Sequence, residues 1–147
     1  MLHVTYEATG ELERGRLARI DADRGRTRVL LDRAAPLADV IRQLNIEIDD
    51  LMASCTWFQL WDSEIVSRNT PGAPLRIEYL LDGQEPHAAV VRERKGLVSV
   101  HIDPALTVTE FAAVMNPATE EFLAGGQWFQ LHAGEIIDMS PGPMSHV

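Results

Sequence analysis

The chain has 147 residues, 46% hydrophobic and 24% charged, with a formal net charge of −9. That composition is globular and excludes a disordered or collagenous chain. No apolar run approaches the roughly 18 residues of a membrane helix, and the acidity would repel a phosphate backbone, so neither a membrane nor a nucleic acid is an expected partner. Residues 1–73 hold 9 basic and 12 acidic side chains, and residues 74–147 hold 4 and 10. Acidity of this kind serves solubility or an acidic docking surface. Twelve arginines stand against one lysine, Lys95; codon bias in a GC-rich genome accounts for this, and so does avoidance of a modifiable amine. Cys55 is the only cysteine, which leaves no internal disulfide and suggests a buried structural thiol. Met1-Leu2-His3-Val4-Thr5 lacks the basic-then-apolar pattern of a signal peptide, so a bacterial cytoplasm is the expected location.

Leu2, Val4 and Tyr6 alternate with His3, Thr5 and Glu7, the period of a half-buried strand, which Gly10 ends. Arg16–Asp23 reads as a second, weaker strand, with a turn at Asp23-Arg24-Gly25. Thr27, Val29 and Leu31 read as a third, so that the last two form a hairpin. Leu37, Val40, Ile41, Leu44, Ile48 and Leu51 then fall on one face of a helix that starts at Pro36. A strand from Trp57 to Val66 and a turn at Pro71-Gly72 close the unit.

The same order then recurs. Trp57-Phe58-Gln59-Leu60 returns as Trp128-Phe129-Gln130-Leu131, 71 positions later, and Asp32, Asn45 and Ala53 match Asp103, Asn116 and Ala124. Leu75, Ile77, Tyr79 and Leu81 repeat the first strand, and Gly83 aligns with Gly10. Ala88–Arg92, the turn Lys95-Gly96 and the alternating Val98, Val100 and Ile102 repeat the hairpin. Val108, Phe111, Ala112, Met115, Phe122 and Leu123 repeat the helix face, opened by a Thr107–Glu110 capping box. Pro117 predicts an interruption, with Asn116 capping a new segment that Gly125-Gly126 stops. A strand over Trp128–Ile137 follows, then Pro141-Gly142 and a short tail. The expectation is an α+β fold of two tandem units, residues 1–73 and 74–147, each strand-strand-strand-helix-strand, with Asn69–Pro74 as a linker. Units of about 70 residues are marginal alone, so the two should pack together or share a sheet.

No residue set carries an evident chemistry. There is no G-x-S-x-G, P-loop, C-x-x-C or H-E-x-x-H pattern. His101 and Asp103 share a strand face, but the other unit has Leu30 in place of His101 and Trp61 in place of His132, so no metal is expected. Asp49-Asp50 and Glu120-Glu121 read as solvated helix-flank charge. The conspicuous residues are aromatic. Trp57 and Trp128 occupy matching positions and suit packing or recognition; Trp61, matched by His132, shares a strand face with Trp57 and Gln59. If Phe58 and Leu60 point to the helix, Trp57, Trp61, Trp128 and His132 form an interaction surface; otherwise the two sheets cover them.

In the second unit, Val98-Ser99-Val100-His101-Ile102-Asp103-Pro104, the helix opening Leu106-Thr107-Val108-Thr109-Glu110 and Leu131-His132-Ala133-Gly134-Glu135-Ile136-Ile137-Asp138 together resemble the ubiquitin-like β-grasp family. Two copies in one chain are similar to the tandem ubiquitin-like modifiers, including those of bacterial conjugation operons associated with phage defence. The resemblance implies a β-grasp sheet with one helix across it in each unit. It also implies a non-enzymatic protein that works through protein–protein contacts, with activating and conjugating enzymes among its partners. Conjugated members end in Gly-Gly; here Gly142 is the nearest position for processing and conjugation. The family's last strand lies beside the first hairpin strand, a slot that Leu2–Glu7 or Leu75–Leu81 would fill in a permuted arrangement. The other readings are an acidic adaptor or immunity-type module without conjugation, and a small-molecule site in the cleft between the units. No catalytic residue and no cofactor is expected.

Overall fold

The computed structural model describes the backbone of residues 3–23, 26–53, 56–61, 64–68, 76–94, 97–124, 127–132 and 135–138, and the side chains within 4–21, 26–53, 77–93 and 97–123. Cys55, the linker 69–74, the glycines 125 and 126, Gly142 and the tail lie outside the described residues.

Each half runs through the same elements. The first is β1 (His3–Thr9), β2 (Ala18–Asp23), β3 (Arg26–Asp32), α1 (Leu37–Ala53), β4 (Thr56–Trp61) and β5 (Glu64–Arg68). The second is β6 (Arg76–Leu80), β7 (Ala89–Arg94), β8 (Leu97–Ile102), α2 (Val108–Ala124), β9 (Gln127–His132) and β10 (Glu135–Asp138). The fold is α+β, with strand orders β1-β3-β2, β6-β8-β7 and β10-β9-β4-β5.

Alternation dictates how the three-stranded sheets face. In β8, Val98, Val100 and Ile102 are buried, and Ser99 and His101 point away from the core. In β3, Thr27, Val29 and Leu31 are buried likewise, but Leu30 on the other face is also covered. Gly83 follows β6 where its backbone N–H donates to the Ile102 carbonyl at 2.9 Å. A Cβ there would stand 2.6 Å from the Ile102 carbonyl carbon, so close backbone approach requires glycine.

Three expectations are corrected. The segments Trp57–Val66 and Trp128–Ile137 are hairpins, not single strands: Trp61 pairs with Glu64 and His132 with Glu135, with only two residues between the partners in each case. In sequence, the polar pair Asp62-Ser63 and the glycine-containing pair Ala133-Gly134 separate the two apolar runs of each hairpin; the pairs themselves lie outside the described residues. Helix α2 is continuous through Pro117. Proline removes one N–H, which would have bonded the Ala113 carbonyl. Ala113 and Pro117 both lie on the exposed side, where the freed carbonyl is within reach of solvent. Finally, β1 does not lie beside the first hairpin strand. It runs parallel to β3, the strand that leads into the helix, and β6 does the same against β8.

The helices close the core jointly. Helix α1 packs on β2 of its own half and on β6 of the other; α2 packs on β7 and β1. One apolar cluster therefore contains residues of both halves, among them Leu31, Leu44, Ile102, Phe111 and Met115. At the start of α2, Glu110 N–H donates to Thr107 Oγ1 at 3.1 Å while Glu110 Oε1 accepts from Thr107 N–H at 2.9 Å, a complete capping box.

Candidate functional site

The register of the shared sheet reveals an internal twofold relation. Strands β4 and β9 are antiparallel, with Trp57 opposite Gln130, Phe58 opposite Phe129 and Gln59 opposite Trp128. Phe58 and Phe129 are equivalent positions in the two halves, so the pseudo-dyad passes between them. It passes also between Tyr6 and Tyr79, equivalent residues of β1 and β6 whose hydroxyls hydrogen-bond at 2.7 Å in the core.

Two asparagines lock this arrangement. Asn116 of α2 accepts from Tyr6 N–H at 2.7 Å and donates to the Tyr6 carbonyl at 3.1 Å. Asn45 of α1 accepts from Tyr79 N–H at 2.8 Å and donates to the Tyr79 carbonyl at 3.0 Å. Strands β1 and β6 are edges of their sheets. Each carboxamide thus acts as a short piece of strand against the other half's edge, satisfying backbone groups the sheet leaves unpaired. The match of Asn45 with Asn116 was legible in the sequence; this role for it was not.

Beside the tyrosines lies a cavity of about 120 Å³, with an almost wholly apolar lining drawn from both halves. Val4, Val29 and Ile48 line it from the first half, and Ile77, Val100 and Met115 from the second. Leu51 and Met52 at the end of α1, and Phe122 and Leu123 at the end of α2, line it also. Phe111 meets both tyrosine rings edge-on, with centroids at 6.0 and 6.4 Å. Burial raises the Tyr6 pKa, offset by the Tyr79 and Thr119 hydroxyls beside it. Burial raises Tyr79 further, and the nearby Tyr6 adds to the effect. Both phenols therefore stay protonated and neutral across the physiological range.

The residues expected to form an interaction surface fall on the shared sheet. Trp57 and Trp61 are on β4, Trp128 and His132 on β9, and these are its two central strands. The pairing brings together positions that the sequence places in different halves. By pleat alternation, positions 57, 59, 128 and 130 belong to one side of the ribbon. The side chains of these residues, and Gly142, lie outside the described residues.

One polar constellation escaped the sequence reading. On the outward face of the second half, His101 Nδ1 lies 2.8 Å from Asp82 Oδ1, and its Nε2 lies 3.1 Å from Ser99 Oγ. Hydroxyl, imidazole and carboxylate stand in the order of an acyl-transfer triad. Ser99 and His101 stand on β8, and Asp82 lies just beyond the end of β6. The group is read as a tie between the end of β6 and β8. Asp103 serves the turn instead: its carboxylate accepts from Ala105 N–H at 3.0 Å and His87 N–H at 2.8 Å, which holds its pKa below the usual carboxylate value. Asp32 accepts from Ala34 N–H in the same way. Among the described residues, no three His, Cys, Asp or Glu side chains gather as a metal site, and no helix is long and apolar enough to cross a membrane.

No protein-family model, no curated protein and no solved structure matches the chain.

Proposed function

We propose that this protein is a non-enzymatic binding protein that acts through protein–protein contacts, with the shared sheet as its recognition surface. The observation that supports the reading is the register of β4 on β9, which sets Trp57 opposite Gln130 and Trp128 opposite Gln59 around the pseudo-dyad. Tryptophans clustered at the centre of a surface are the residues that dominate binding energy at protein interfaces. The narrower form of the proposal is a tandem β-grasp protein of the ubiquitin-like kind, serving as a bacterial modifier after trimming at Gly142. An acidic adaptor or immunity-type module without conjugation is the alternative form.

The test is quantitative recovery of partners by the tagged chain, in cells carrying its genomic neighbours, compared with the Trp61→Ala variant. A partner lost with Trp61→Ala at unchanged melting temperature supports the surface; a partner set indifferent to Trp61 and Trp57 contradicts it. Intact-mass analysis of the same material separates the two forms, because higher-mass covalent adducts occur only if the chain is conjugated.

A further inference from the structure

We propose that the cavity on the pseudo-dyad is a binding site for one small, neutral, apolar molecule of about the size of a single six-membered ring. Small-molecule sites are concave and lined mostly by apolar side chains. This one measures about 120 Å³. An engineered cavity of about 150 Å³ with a comparable aliphatic and aromatic lining takes up benzene or xenon. A water molecule needs two to four polar partners, and the walls here are almost wholly apolar. The hydroxyls of Tyr6 and Tyr79 already satisfy each other.

Position adds to size. The cavity draws Val29 and Ile48 from one half and Val100 and Met115 from the other, so an occupant touches both halves at once. Leu51, Phe122 and Leu123, at the ends of the two helices, are half-buried and line the cavity at that end. Charge is selected against. Moving a carboxylate or ammonium into such a lining is costly without a partner, and the titratable groups among the described wall residues, Tyr6 and Tyr79, are neutral and offer no countercharge.

The test uses the full chain labelled with ¹³C at its methionine methyls, titrated with benzene and, separately, with benzoate. Benzene is expected to shift the Met52 and Met115 methyls together in one saturable process and to raise the melting temperature in step. Benzoate should bind at least tenfold more weakly. Thr119 of α2 and Val91 of β7 also line the cavity; Thr119→Phe places a ring in the space and should weaken benzene binding at least tenfold, and Val91→Phe does the same from the sheet side and serves if the first variant does not fold. Three results would each overturn the proposal: shifts that never saturate, equal binding of benzoate, or full affinity retained in a folded cavity-filled variant.

Discussion

The hydroxyls of Tyr6 and Tyr79, 73 residues apart, meet at 2.7 Å where the two halves of the chain join. Each is the other's partner, and Tyr6 has Thr119 beside it as well. Removing one hydroxyl from such a pair costs more than removing both, because the survivor is left buried without its bond. Tyr6→Phe should therefore destabilise the fold by about 1–3 kcal/mol. The double variant Tyr6→Phe/Tyr79→Phe should lose less than the sum of the single changes. Urea unfolding of the four proteins of the cycle measures this; strict additivity would mean that the hydroxyls do not interact.

The same pair sets an alkaline limit. The folded-state pKa values of Tyr6 and Tyr79 lie above their unfolded values because burial opposes the phenolate. Their contribution is fully present below the unfolded pKa of about 10 and is lost as pH rises through the folded values. The chain has only these 2 tyrosines, so the phenolate absorbance that rises near 295 nm, above the background of the 3 tryptophans, comes from them. Phenolate should appear late, and together with unfolding. Reversible titration of both near their ordinary pKa in a folded protein would show that they are not buried as described.

Asn45 and Asn116 each bond both backbone groups of an edge-strand tyrosine in the opposite half. Asn45→Ala or Asn116→Ala strands a backbone N–H and carbonyl in a part-buried place and should cost about 1–3 kcal/mol. The loss should be similar for the two variants, given their equivalence. Chemical denaturation gives the values; a change below a few tenths of a kcal/mol in both would show that water replaces the carboxamides freely.

Much of this architecture was legible in the chain. Alternation at Val98, Val100 and Ile102 and the helical spacing of Leu37, Val40, Ile41 and Leu44 report local periodicity, and they place β8 and α1 correctly. Thr107 and Glu110 report a local cap. What failed was long-range or depended on solvent. Nothing local at Pro117 says that its lost bond faces water, so the helix was expected to break there. The pairing of β1 with β3 rather than β2 is a tertiary choice between two neighbours of similar pattern. Asn45 and Asn116 could be matched, but a carboxamide clasping a strand 34 or 110 residues away leaves no periodic trace. The cavity was anticipated only as a cleft between the units. The Ser99–His101–Asp82 group was missed because Asp82 lies on a different segment from the strand that holds the other two.

The central claim is that the two halves complete one another: each helix covers, and each asparagine clasps, an edge strand of the opposite half. Expressing residues 1–73 and 74–147 as separate chains tests this most directly, by circular dichroism and by light scattering after size exclusion. The account predicts that neither half is a folded monomer alone and that mixing them yields a folded one-to-one complex. Two folded monomers that ignore each other would contradict it.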